Sequence, residues 1–409
     1  MDLKLIYLDR VILVSLTSFV FCSFFSISLT QISCSVGGLA WAIKCFVNRS
    51  WGMQRFPLKV PFLFFVFACI LGVASSPDIS ESYKSLKRLL EILIFFWAVN
   101  CIESEELREK LSLLLIFAAS ISTLTSFYGV WENGRHLFDA TMLQGNYRAQ
   151  GNMSVYMTFA GLLMLSLLVA SGKLFFAPKE NKWIYLSFIL IAACLLLTFT
   201  RQAWLGVFAG GLFLIWFREK KMLWSVPLIL IIVFAISPAT IQWRIKTLLD
   251  LNDPNLKRRI ALWDGGWLIF QDHFLTGCGF KCVDAVNHKY PDPTGIIKRL
   301  RGMHNNFIQL AVDTGLFGLI SWVSIWVIYF MTLYHSIISM KKNLAYKRDA
   351  MASAAAITGF LVAGFFETNF YDSEVSMLMY FIMALPFTAN WKNLAASEKR
   401  NPETISPRI

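Results

Sequence analysis

The stretch Val11–Gln31 reads VILVSLTSFVFCSFFSISLTQ, and Ser112–Trp131 reads SLLLIFAASISTLTSFYGVW. Each carries no charged residue and reaches the length of about 20 residues that crosses the hydrocarbon of a bilayer as a helix. The apolar residues come in unbroken blocks, not in the stripes of an amphipathic surface helix. The pattern recurs along all 409 residues, of which 56% are hydrophobic and 16% charged; an ordinary soluble domain carries roughly 25% charged residues. A helical bundle in lipid satisfies its backbone hydrogen bonds within each segment, so this composition points to an all-α integral membrane protein. The first block, preceded by Lys4 and Arg10, is too long for a secretory signal and lacks an Ala-x-Ala-like cleavage site, so it reads as a retained anchor.

Spans are expected near 11–31, 34–47, 58–73, 86–102, 112–131, 153–171, 183–200, 203–217, 222–240, 307–335, 351–366 and 374–391, about a dozen transmembrane helices. Segments 1–240 and 305–391 hold helices 1–9 and 10–12, a large loop covers 241–304, and 392–409 is a polar tail. With the N-terminus inside, the cytoplasmic segments carry 21 Lys and Arg against six in the short outer connections, which sets the orientation and leaves the large loop outside. That loop holds ten basic residues and six acids; long loops escape the charge bias and tend to be functional. Within it, Asn255–Gln271 reads as a helix after Pro254, and the recurrence of Ile260, Trp263 and Trp267 suits a helix lying at the membrane surface. Six of the eight cysteines fall in or beside apolar blocks as small hydrophobes. Cys278 and Cys282 lie in the loop, as a local disulfide or as two free thiols. No Cys/His spacing resembles a zinc site.

The outer connections gather Arg148, Arg201, Arg258, Arg259 and His304. A guanidinium fork binds two oxygens of a phosphate at once, so outward arginines beside a lipid surface suit a lipid-linked phosphate or diphosphate. The bland alternative for each is a helix end anchored to anionic headgroups. Arg201 stands apart because it lies between two spans in a connection too short to be a solvated tail. His304 opens a helix that Gly315 can terminate. An imidazole, with an ordinary pKa near 6.5, can take a proton from a hydroxyl at neutral pH; a polar cap at the interface is the alternative. Glu367 and Asp372, in the last outer connection, could orient His304 or an acceptor, and neither is placed in the catalytic set. Apart from Lys44 and Glu91 the spans read as nearly free of charge, which disfavours a flippase or transporter.

At these residues the chain resembles the O-antigen ligase family of bacterial envelope enzymes, which includes related O-antigen polymerases. His304-Asn305, nine residues, Gly315, two residues, Gly318 is similar to the family's His-Asn…Gly-x-x-Gly motif at the end of the large periplasmic loop. Thr200–Gly206 resembles its arginine motif between two spans. Arg259–Trp263 with Phe270–Phe280 resembles the start of the loop, and Arg148–Asn152 the segment before the sixth span. Phe274 stands where family members commonly have Pro.

The resemblance implies a GT-C-like glycosyltransferase in the bacterial inner membrane with its active site facing the periplasm. It would move O-polysaccharide from undecaprenyl diphosphate to a sugar hydroxyl of lipid A-core, with membrane lipids around it and no nucleic acid. His304 would be the general base. Arg201 and Arg259, helped by Arg258 or Arg148, would bind the diphosphate and stabilise the leaving group. No cofactor or metal is expected, since arginines supply the positive charge, and one displacement would invert the anomeric centre. An O-antigen polymerase shares this donor and charge pattern.

Overall fold

The computed structural model describes residues 3–133, 148–176, 182–246, 250, 252–292, 295–339 and 343–388; the tail 392–409 lies outside them. Among the described residues every regular element is helical. The helices are α1 Leu3–Cys22, α2 Ile27–Val47, α3 Lys59–Ala74, α4 Ile79–Lys84, α5 Ile92–Cys101, α6 Glu105–Asn133, α7 Tyr156–Phe176, α8 Trp183–Leu197 and α9 Arg201–Arg218. After them come α10 Val226–Ile236, α11 Ala239–Lys246, α12 Pro254–Asp272, α13 Val283–Val286, α14 Ile296–Leu300, α15 Asn306–Ser339, α16 Leu344–Ala363 and α17 Ser373–Ala384. Among the described residues, four helices are long and apolar enough to cross a membrane by themselves: Lys4–Cys22, Glu105–Glu132, Tyr156–Phe176 and Asn306–Ser339.

The opening block is not one span. It divides at Ser23–Ser26, where the extended Ser26 accepts a hydrogen bond from the Leu29 amide and starts α2. The turn's Ser23 and Ser26 look no different from Ser15, Thr17, Ser18 and Ser28 inside the helices, so they do not mark it. The bundle centres on α7, whose residues Thr158–Lys173 are all buried. Small residues let its neighbours approach. A Cβ at Gly206 or Gly210 of α9 would meet the Gly359 or Ala355 carbonyl of α16, and one at Gly172 of α7 would meet Ala352. Such small-residue seams are how helices pack closely where lipid gives no hydrophobic drive between them. By contrast α10 buries nothing and exposes Leu228–Ile232 and Ile236. Water would penalise that surface, whereas lipid does not. The chain is a membrane protein.

Three basic residues expected in solvated connections are buried instead. Arg108 is 1% exposed and donates to Asp349 at 2.7 Å, Lys173 pairs with Glu109 at 2.6 Å, and Arg348 pairs with Glu109 and with Asp349. The cause is that α6, α7 and α16 run one or two turns beyond the expected span ends and bring these charges inside, where mutual pairing offsets their desolvation. Asp313 is another buried charge not counted among the spans, held by Tyr371 at 2.6 Å and Gln309 at 3.0 Å.

The expected loop begins inside a helix, since α11 crosses residue 241. The rest of it folds. Asp253 caps α12 through the Asn255 amide at 2.8 Å, and Leu262, Ile269, Cys278, Cys282, Val283, Val286, Ile297 and Met303 form a small core with Val312 of α15. Cys278 and Cys282 are paired, their Cα atoms 5.7 Å apart. Ile260 and Trp267 remain exposed, but Trp263 turns inward and donates to the Met303 carbonyl at 3.0 Å. It therefore anchors the loop and does not belong to a free surface stripe.

The helix after His304 breaks at Gly315, where φ is 64° and ψ −165°, then resumes as the long apolar span. The segment 274–279 threads into this break. Cys278 and Gly279 donate to the Val312 and Asp313 carbonyls at 2.9 and 3.0 Å, and Leu316 and Phe317 donate to the Phe274 and Leu275 carbonyls at 2.8 and 3.3 Å. Phe274 contributes its carbonyl here, a group that proline also has, which accounts for tolerance of either residue.

Candidate active site

A cavity of ≈ 650 Å³ opens where the first residues of α7, α9 and α12 meet the ends of α11 and α16. The same α7 ends about 25 Å away, at the Lys173 network. All five residues singled out in the sequence line the cavity: Arg148, Arg201, Arg258, Arg259 and His304. Arg244, Asp250, Asp253 and Glu367 join them, so among the described residues five arginines face three carboxylates.

Local geometry explains each placement. Arg201 is the first residue of α9, after Thr200 in extended conformation and Phe199 at φ 51°. Its Nη1 lies 2.5 Å from Asp253 Oδ2, which ties α9 to the start of α12. Arg258 and Arg259 follow one turn into α12. Arg148 stacks over the Tyr156 ring with its guanidinium carbon 4.3 Å from the centroid, and its neighbour Ala149 donates to the Leu197 carbonyl at 3.0 Å. Arg148 is thereby held against the end of α8.

His304 adopts φ 46°, the left-handed region that few non-glycine residues occupy. Its neighbours keep it there. The Met303 amide donates to Gln309 Oε1 at 2.9 Å, and Asn305 Oδ1 accepts from the Phe307 and Ile308 amides at 2.8 and 3.1 Å. Asn306 is fully buried and stitches this strand of chain to the far connection: its amide donates to the Gly364 carbonyl at 2.7 Å, its side chain to Asn369 at 2.5 Å, and it accepts from the Phe370 amide at 3.1 Å. The His-Asn pair and the 364–371 connection are one unit. That unit places His304 Nδ1 2.9 Å from Glu367 Oε1.

Residues 185–323 match the family model described as O-antigen ligase. The chain carries an O-antigen ligase family domain. The matched segment runs from α8 past Gly318, and so contains Arg201, Arg244, Arg258, Arg259 and His304 of the cavity, while Arg148, Tyr156 and Glu367 come from outside it. No curated protein matches the chain in sequence.

Electrostatics of the cavity reflect burial together with an excess of cations. Burial, with Arg201 and Arg148 adding repulsion, lowers Arg244 to about 10. Arg259 is lowered chiefly by burial, opposed by Glu367 and reinforced by Arg201. The acids move down as well, but against burial. Burial pushes Glu367 up, but the hydrogen bond and charge of His304, the Thr368 amide and Arg259 outweigh it, so its carboxyl stays below the usual range. Asp253 is likewise held low against burial by the Asn255 amide and Arg201. Burial by itself would lower the arginines but raise the two acids, so the depressed acids carry the mark of the surrounding cations. An anion entering here would relieve the arginines and find donors already turned inward.

Sequence reasoning missed Arg244, Asp253 and Tyr156. Arg244 looked like one of ten loop cations, because nothing in its spacing shows that α11 folds back beside Arg201. Asp253 did carry a signal: an Asp directly before Pro and a helical pattern is an N-cap.

Proposed function

We propose that this cavity transfers a glycan from a polyprenyl diphosphate to a sugar hydroxyl, the donor being undecaprenyl diphosphate-linked O-polysaccharide and the acceptor lipid A-core at the periplasmic face of the bacterial inner membrane. The observation that carries this reading is the convergence of five arginines and one histidine from distant segments on a single cavity. Arginine forks match diphosphate oxygens, and the helix N-terminus that begins with Arg201 adds its own positive end. His304 takes the acceptor's proton as its oxygen attacks the anomeric carbon. The bond from that carbon to the diphosphate breaks, and its electron pair leaves onto oxygens held by Arg201 and Arg259, with Arg258, Arg148 and Arg244 supporting them. Attack opposite the leaving group inverts the centre.

Reconstitution of the purified protein with an undecaprenyl diphosphate-linked glycan and rough lipopolysaccharide tests the proposal. Glycan moving onto lipid A-core supports it; longer lipid-linked chains in place of that product would make the protein an O-antigen polymerase. Arg201→Lys keeps the charge and removes the fork. Transfer by this variant should fall about 10-fold or more, with its thermal melt close to that of the wild type. Undiminished transfer would show that a point charge is sufficient at this position.

A further inference from the structure

Helix capping does not explain the position of Glu367. It caps neither neighbouring helix: α16 ends at Ala363, and Asp372 caps α17 through the Val375 amide. Yet its carboxylate, only 14% exposed, is the meeting point of donors from three residues. Oε1 lies 2.9 Å from His304 Nδ1 and 3.0 Å from the Thr368 amide, and Oε2 lies 3.4 Å from Gln202 Nε2. An ionised carboxylate only accepts, so the imidazole nitrogen facing it carries a proton. Neutral imidazole has one N–H. With that proton on Nδ1, Nε2 keeps a lone pair.

We propose that Glu367 is the positioning residue of this site: it fixes His304 as the Nδ1–H tautomer, so that Nε2 is the atom that accepts the acceptor's hydroxyl proton. The inference rests on the transfer reading above and adds to it. As the new bond from oxygen to the anomeric carbon forms, the O–H bond breaks toward Nε2 and the diphosphate leaves with the electron pair of its bond to that carbon. The imidazolium so formed then has a counter-charge 2.9 Å away, and Glu367 itself stays ionised. The other charged groups lining the same cavity are Arg148, Arg201, Arg244, Arg258 and Arg259, with Asp250 and Asp253. Without Glu367 the imidazolium would face five arginines against two carboxylates, of which Asp253 is already paired with Arg201. Gln202 gives the arrangement a further consequence: the residue next to the diphosphate-binding Arg201 holds the other oxygen of the carboxylate.

The test uses the purified full-length protein in the reconstituted transfer assay. Glu367→Gln preserves shape, but its amide can offer Nδ1 a donor and so favour the wrong tautomer. Its kcat should fall about 10²-fold or more, with little change in donor KM, and the acid limb of its pH–rate profile should move to lower pH because the imidazolium has lost its counter-charge. Glu367→Asp keeps the charge and should recover much of kcat and the wild-type acid limb. A Glu367→Gln enzyme with unchanged kcat and acid limb, alongside a His304→Ala enzyme that has lost transfer, overturns the positioning role and leaves the transfer reading standing. Normal transfer by His304→Ala overturns the positioning role together with the base assignment; absence of transfer from the wild-type protein overturns the transfer reading. Should Glu367→Gln fail to fold, ¹⁵N NMR of histidine-labelled wild-type protein, with the His304 signals found by difference from His304→Ala, decides the question alone. A protonated Nδ1 and bare Nε2 support the proposal, and the reverse pattern refutes it.

Discussion

His304→Ala should lower glycan transfer by about 10²–10⁴-fold, the usual contribution of general acid–base catalysis. Folding should barely change. The side chain is 29% exposed and faces the cavity, whereas the chain around it is held by Asn305, by Asn306 and by the Trp263 bond to Met303. Activity should not vanish, because in the proposed mechanism the five arginines would still bind the diphosphate and stabilise its departure, and a sugar hydroxyl would attack slowly without a base. Donor KM should stay near the wild-type value. The measurement is initial rate against donor concentration for the reconstituted variant, together with its thermal melt. Wild-type transfer from a folded His304→Ala protein would remove the base assignment. A collapse of the melt would show that the residue matters chiefly for structure.

How far this arrangement was readable in the sequence depends on what each residue needs from its neighbours. The helical membrane character followed from the blocks around Val11 and Ser112, because hydrocarbon demands the same composition whatever the packing. The boundary inside the first block did not, since Ser23 and Ser26 of the turn read like the other serines and threonines of the block. Arg201 and His304 were legible because a charge or imidazole beside a span is costly without a use. Arg244 and Tyr156 were not, because each becomes part of the cavity only when α11 and α7 are brought together in three dimensions. The same limit applies at the other end of the bundle. Arg108, Lys173 and Arg348 read as ordinary positive-inside charges, and their acidic partners Glu109 and Asp349 lie up to 241 residues away. Charge type could be read along the chain, but pairing could not. Glu367 falls between these cases: its place in the outer connection was visible, but its 2.9 Å contact with His304 depends on the Asn306–Asn369 stitch.

The glycine motif leads to the other large expected effect, which is on folding. Gly315→Ala should cost about 4 kcal/mol or more, a loss seen only when a specific structural requirement is broken. At φ 64° and ψ −165° the residue occupies a region essentially reserved for glycine, and holding another residue there costs of order 1–3 kcal/mol. A methyl group would also collide with the Gly277 amide and the Leu275 carbonyl, both backbone atoms that cannot swing aside. Relief would require segment 274–279 to leave the break in α15. Four inter-segment hydrogen bonds would go with it, those of Cys278, Gly279, Leu316 and Phe317, and so would the support that Val312 gives to the loop core behind His304. Gly277, at φ 73° and pressed against Thr314 and Asp313, should behave in the same way. Gly38 of α2 is the control, because a Cβ there meets nothing within 4 Å, and Gly38→Ala should be neutral or slightly stabilising in a helix. Detergent-solubilised yield and thermal melting of the three variants provide the comparison. If Gly315→Ala melted with Gly38→Ala and the wild type, the interlock between the loop and the broken helix would not be what holds the His304 end of α15 in place.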